Sequence, residues 1–333
     1  MDMNAWVYAG FTIFVLGTLA LDLGIFHRKA HVVHPREAGI WVIVWATLAL
    51  VFAGFLFMWK GSEQSLLFAT GYLIELSLSA DNIFVIVMLF SYFKVPDKYQ
   101  HRVLFWGILG ALVMRGAFIG MGAFLIQKLS WIMYIFGGFL IFTGIKMALR
   151  QDEEFDADKN IVMRTARRFL RVSNQYDGQK FFTRENGLSV ATPLFLVLLL
   201  VEFTDLVFAV DSIPAIFAVT TDSFLVYTSN VFAILGLRSM YFLLSGIIHK
   251  FVYLKYGLSA ILTFVGVKML IVDFYHVPIP ISLGFIILAL STTLLASFLF
   301  PVAAKDVIDE AQGKTGSIFG SVQVRRRGEN EET

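Results

Sequence analysis

Two stretches of the chain repeat one arrangement of oxygen-bearing side chains: Glu75-Leu-Ser-Leu-Ser-Ala-Asp81-Asn82 and Glu202-Phe-Thr-Asp205-Leu-Val-Phe-Ala-Val-Asp211-Ser212. In each, two carboxylates stand six residues apart, Glu75 with Asp81 and Asp205 with Asp211, and an amide or hydroxyl follows the second. Carboxylate, amide and hydroxyl oxygens suit hard divalent cations such as Mg2+, Ca2+ and Mn2+ and are poor ligands for copper. Carboxylates also take up protons, so exchange of protons against a metal ion is natural chemistry for such a set. Glu202 and Asp205 are three apart and share a helix face.

Both stretches lie inside apolar runs of membrane length. There a carboxylate costs several kcal/mol unless it is paired, hydrated or metal-bound. Arg115, Arg238, Lys146 and Lys268 also fall in apolar runs and are possible charge partners, so a purely structural ion-pair network is one reading. Four bases against five acids leave one acid over, and counting Asp22 and Asp273 as well leaves three. That excess favours a cation pathway whose field the bases tune. Asp22, near the end of the first run, is a possible gate residue or an interfacial acid. In a straight helix, positions six apart point in directions differing by roughly 120°. Either each acidic pair serves two neighbours, or the helix breaks between its members. Pro214, three residues after Asp211, would free the carbonyl of Val210 and supports a break in the second copy.

The elements that must hold these residues are membrane helices. Of 333 residues, 57% are hydrophobic and 16% charged, and the mean hydropathy is +0.73, which excludes an ordinary soluble domain. The chain has no cysteine, so disulfides, thiol redox chemistry and iron–sulfur clusters are excluded. Its six histidines lie in loops or near run ends, which leaves no intramembrane bis-histidine haem site. No phosphate-binding glycine-lysine loop occurs, so the chain carries no ATPase of that type. No catalytic residue, resident cofactor or nucleic-acid partner is expected; the partners are a divalent metal ion, protons and the lipid bilayer.

Nine apolar runs are of spanning length, at about 4–26, 38–59, 66–93, 103–126, 131–149, 190–219, 224–248, 254–273 and 280–303. Lys and Arg concentrate in alternate connections, with eight in the one after the fifth run and five in the tail, against Lys60 and Lys128 on the other side. The asymmetry predicts an outside N-terminus and a cytoplasmic C-terminus in a bacterial inner membrane. Residues 140–147 (Leu-Ile-Phe-Thr-Gly-Ile-Lys-Met) match 262–269 (Leu-Thr-Phe-Val-Gly-Val-Lys-Met), and Gly107-Ile-Leu-Gly110 resembles Ala233-Ile-Leu-Gly236. With the acidic motifs, these matches define two three-span units in the same order, and an odd span number inverts the second. The expected fold is an all-α polytopic membrane protein of about nine transmembrane helices with two inverted three-helix repeats. Its parts are two leading spans (1–60), the first repeat (61–149), a cytoplasmic linker (150–189), the second repeat (190–273), a final span (274–303) and a polar cytoplasmic tail (304–333).

In the linker, Arg164, Arg167, Arg168 and Arg171 share one helical face, which predicts a basic helix on the anionic leaflet. Asp152, Glu153, Glu154, Asp156 and Asp158 form its solvated acidic start. His27, His31 and His34 have a spacing that a helix could use for metal, but Pro35 makes a solvated turn the better reading.

The chain resembles the TerC family of integral membrane proteins, close to its Alx-like branch. The resemblance runs over nearly the whole sequence. It is carried by Gly71-Tyr-Leu-Ile-Glu-Leu-Ser-Leu-Ser-Ala-Asp81-Asn-Ile-Phe-Val, Ala191-Thr-Pro-Leu, Val201-Glu-Phe-Thr-Asp205-Leu-Val-Phe-Ala-Val-Asp211-Ser-Ile-Pro-Ala-Ile and Ser229-Asn-Val-Phe-Ala-Ile-Leu-Gly-Leu-Arg238. It implies a relationship to LysE-type transporters and, for this branch, manganese export linked to alkaline pH. By the family motif, the metal-handling residues are Glu75, Asp81, Asn82, Glu202, Asp205, Asp211 and Ser212. The expected function is export of divalent metal cations, Mn2+ above all, by proton exchange. The alternatives are a non-transporting membrane scaffold of the tellurite-resistance type, related to stress or redox, and an exporter of a small organic cation.

Overall fold

A computed structural model describes residues 5–21, 34–129, 131–149, 171–173, 175–185, 188–245 and 253–300; the side chains of Ala5, Ala20, Leu21 and Asp81 lie outside the described set. Asp22, His27, His31, the acidic and basic parts of the linker before Arg171, and the tail also lie outside it.

The described residues form nine helices: α1 (Ala5–Leu21), α2 (Pro35–Lys60), α3 (Ser62–Tyr92), α4 (Asp97–Lys128), α5 (Ile132–Leu149), α6 (Pro193–Phe217), α7 (Ser223–Leu244), α8 (Leu254–Leu270) and α9 (Ile279–Leu299). Each falls on one of the nine apolar runs. Six of them (α2 to α6 and α9) are individually long and apolar enough to cross a membrane. Helices α1 and α8 are shorter at 17 residues each. Helix α7 is buried almost all round from Phe224 to Ser239, as befits a helix at the centre of a bundle. Proline in the first turn starts α2, α6 and α9, where its missing N–H is no loss. Helix α7 instead starts on Asp222, whose carboxylate accepts from the backbone N–H of Phe224 at 2.9 Å and Leu225 at 3.4 Å.

The two helices carrying the acidic motifs are continuous. Helix α3 runs 31 residues without interruption, and α6 passes through Pro214 to Phe217. The break expected between paired acids is therefore absent from the described backbone. Pro214 lies in the last turn of α6, where it leaves the Val210 carbonyl without its usual donor while the helix continues to Phe217, and its own carbonyl accepts from Ala218 at 3.0 Å.

The linker holds a feature not foreseen. Strands β1 (Phe182–Glu185) and β2 (Leu188–Ala191) pair antiparallel, and Val172 bridges to Ala191 alongside. The ladder crosses the expected boundary between linker and second repeat, and α6 begins only at Pro193. Tyr176 donates from its hydroxyl to the carbonyl of Phe93 at 2.8 Å, which ties this unit to the end of α3.

Helix ends sort onto two faces. Lys60 and Asp222 pair at 3.3 Å on one face, where Tyr134 also donates to Asp273. On the other, Tyr176 meets Phe93, and Tyr241 donates to Gln100 at 2.9 Å.

Helix contacts show an exchange pattern. Helices α3 and α7 pack together, as do α6 and α4; α3 touches α8, as α6 touches α5; and α3·α6, α4·α7 and α5·α8 meet their own counterparts. The closest approach is α5 on α8, where a Cβ at Gly137 would lie 2.9 Å from the carbonyl oxygen of Gly266 and one at Gly266 would lie 2.7 Å from that of Gly137. One turn or two further on, Ser259 donates to the carbonyl of Gly144 at 2.6 Å. In the repeat alignment Gly137 corresponds to Ser259 and Gly144 to Gly266. Under that alignment the two contacts exchange with one another, and small residues bring the two antiparallel helices close.

Candidate cation site between helices α3, α4, α6 and α7

Arg115 of α4 is the hub of the buried polar residues, with a relative exposure of 2%. It donates from Nε to Asp205 Oδ2 at 3.2 Å and from Nη2 to Asp205 Oδ1 at 2.9 Å, a two-toothed grip on the α6 carboxylate. From Nη1 it donates to Glu75 Oε1 of α3 and to Asn230 Oδ1 of α7, the latter at 2.7 Å. One guanidinium thus joins four helices and neutralises one of two carboxylates.

The remaining acids are placed differently. Asp211 accepts from Thr143 Oγ1 of α5 at 3.2 Å, with Lys146, one turn along α5, as the cation close enough to interact. Glu202 lies against α4 at Gly110, where a Cβ would collide with both carboxylate oxygens. Glu202 and Asp205 therefore face the same helix, as their spacing requires. Asp205 and Asp211, six apart, serve two neighbours, α4 and α5. Asp81 is on α3 one turn and a half beyond Glu75; its side chain lies outside the described residues.

A small cavity of about 10 Å³, room for a single water-sized occupant, opens beside the guanidinium. Its polar lining is Glu75, Asn82, Arg115, Asp211 and Ser212, and its apolar walls come from Leu78, Met147, Phe208 and Leu262. Three of the lining oxygens or hydroxyls, Glu75 Oε2, Asn82 Oδ1 and Ser212 Oγ, are buried without a hydrogen-bond partner among the described residues. Buried polar atoms are nearly always partnered, so three around one cavity need a reason. The Asn82 amide reaches Asp205 Oδ1 at 3.5 Å, a long contact, while its carbonyl oxygen stays free. Glu202 Oε2 is likewise unpartnered, but Glu202 does not line the cavity.

Of the seven expected site residues, the fold brings Glu75, Asn82, Asp211 and Ser212 to one cavity, sets Asp205 behind Arg115 and places Glu202 apart. Among the described residues no three His, Cys, Asp or Glu side chains form a ready metal cluster. The four bases differ as much as the acids. Arg115 is the hub; Arg238 has Nη1 3.4 Å from His101 Nε2; Lys146 lies by Asp211, with Nζ 5.9 Å from the Phe142 ring centre; Lys268 is in the last turn of α8. Asn230, Thr143 and Gly110 were not expected at the site. Each lies in a stretch that the repeat or the family motif marks, which is the signal that could have found them.

Bundle, apolar lengths and buried ion pairs define an all-α, multi-pass integral membrane protein. Over residues 60–305 the chain matches the model of the integral membrane protein TerC family, and it belongs to that family. It is 54% identical over 293 residues to an uncharacterized membrane protein of Myxococcus xanthus, covering 88% of this chain and 92% of that one. It is 53% identical over 288 residues to the protein of Escherichia coli (strain K12) named "Putative membrane-bound redox modulator Alx", with 84% and 89% covered. An uncharacterized membrane protein of Rickettsia bellii is 41% identical over 305 residues, with 92% and 99% covered. No solved structure matches.

Proposed function

We propose that this protein is a secondary transporter that exports divalent metal cations, Mn2+ above all, in exchange for protons. The observation that carries the reading is the cavity whose oxygens Glu75 Oε2, Asn82 Oδ1 and Ser212 Oγ, around the Asp211 carboxylate, are without a hydrogen-bond partner among the described residues. Oxygens buried without hydrogen-bond donors are what a hard cation replaces water with. After Arg115 and the nearby Lys146 are counted, Glu75, Asp205 and Asp211 still carry one negative charge in excess when ionised, which favours a cation in the cavity. The ligand set is two carboxylates, one amide and one hydroxyl, which suits Mn2+ better than a bulky organic cation in a space this small.

The transport geometry follows from the exchange pattern of the helices. We take α3–α5 and α6–α8 as inverted repeats, with the cavity at their interface near mid-membrane, the N-terminus outside and the C-terminus in the cytoplasm of a bacterial inner membrane. Exporting a cation from a negative interior works against about 2.3 kcal/mol per charge per 100 mV, so an opposing proton flow is needed. The same carboxylates receive the protons when the metal leaves.

The Escherichia coli relative's name favours a second reading, a role in redox balance. This chain has no cysteine, so a thiol route is closed to it, and a redox effect would have to be indirect, for example through metal supply. Purified protein in liposomes separates the readings. Transport predicts Mn2+ flux that lysine does not compete for; a scaffold gives the flux of empty liposomes.

A further inference from the structure

Arg115 is the largest side chain among the fully buried ones and the one cation in the cavity lining. A structural ion pair normally joins one acid to one base. Arg115 instead grips Glu75 and Asp205, the equivalent first acids of the two motifs, and does so on the edge of the space lined by Asp211 and Ser212. Arginine keeps its charge at any physiological pH, so it cannot be neutralised to make way for a metal ion. At low effective dielectric, a guanidinium and a divalent ion a few ångströms apart repel by several times the thermal energy. The two cannot share these carboxylates.

Resting on the export reading above, we infer that Arg115 is a tethered stand-in for the transported cation. With the cavity empty, its guanidinium holds Glu75 and Asp205. An entering divalent ion takes Glu75 and Asp211, and the guanidinium is displaced towards Asp205 and Asn230. Two features fit such a shift. Glu75 gives Arg115 one oxygen and keeps Oε2 facing the cavity unpartnered. Asn230 already accepts from the same Nη1 that holds Glu75, so this amine keeps an acceptor when the carboxylate is withdrawn. Because Arg115 links α3, α4, α6 and α7, moving it changes the contacts between the repeats, which connects occupancy to helix packing. The side chain also limits affinity, as an exporter needs if it is to release its ion outside.

The test is Mn2+ binding to the full-length protein in detergent, followed by loss of the electron paramagnetic resonance signal of free Mn2+ at mildly alkaline pH. Arg115→Gln should bind Mn2+ roughly tenfold or more tightly than wild type, because the competing charge is gone. Equal or weaker binding by a protein that keeps its size-exclusion profile overturns the inference. Should Arg115→Gln fail to fold, Arg115→Lys serves: lysine lacks the planar fork that grips Asp205 through two nitrogens while reaching Glu75, so binding should tighten by a smaller factor, and unchanged binding is again fatal. If Asp211→Asn abolishes binding while both arginine variants match wild type, the stand-in role fails and the export reading stands. If wild type binds no Mn2+ at millimolar concentration, both fail.

Discussion

Arg115 and Gly110 sit five residues apart on α4 and receive the two acids of one α6 face, Asp205 and Glu202. A base meets one acid and empty space meets the other. The space at Gly110 exists for the Glu202 carboxylate, since any Cβ there would collide with it. We expect Gly110→Ala to lower stability by about 1–3 kcal/mol through overpacking. Glu202→Ala in the same chain should restore most of that loss, because the clash then has one side removed. Thermal melting of the four proteins in detergent reads the coupling; simple additivity would show that Glu202 does not fill this space. The acids were legible in the sequence because carboxylates in apolar runs demand a reason. The base that answers them was not. Arg115 stands 40 residues from Glu75 and 90 from Asp205, and only the packing of α4 against α6 and α7 brings it, rather than Arg238, Lys146 or Lys268, to both acids.

At the scale of elements, the nine helices fall where the apolar runs put them, since spanning length and loop charge are written locally. Of the two readings of the six-residue spacing, a break near Pro214 did not occur, because α6 runs through it to Phe217 and its acids serve two neighbours instead. The β1–β2 hairpin went unread, although Asn186-Gly187 between two alternating stretches is a strong hairpin signal. Its polar surroundings suggested linker. Thr192 holds the hairpin to the start of α6 by donating to Lys180 O at 2.7 Å, and Tyr176 holds it to α3. Burial pushes the Tyr176 phenol up to about 12 from its ordinary 10. A raised value means that this contribution to stability is complete below the unfolded value and is lost as pH climbs from about 10 to about 12. Wild type should lose melting temperature over that interval relative to Tyr176→Phe. Parallel curves would mean that the phenol is not buried in the folded protein.

For the whole molecule, the repeat has a functional consequence. In the repeat alignment Glu75 corresponds to Asp205 and Asn82 to Ser212, and Arg115 grips both of those acids. Arg115 thus engages the Glu75 and Asp205 side of the cavity and leaves the Asp211 charge beside Thr143 and Lys146. Removing that charge should leave folding intact, because a hydroxyl from Thr143 is the hydrogen bond it accepts among the described residues. The most direct measurement is Mn2+ uptake into inside-out membrane vesicles with an acidic lumen, comparing wild type with Asp211→Asn at equal membrane levels. Uptake that follows the pH gradient, collapses with a protonophore and is absent in Asp211→Asn is the predicted result. Uptake by wild type no greater than that of vesicles lacking the protein, or equal uptake by Asp211→Asn, would contradict the account.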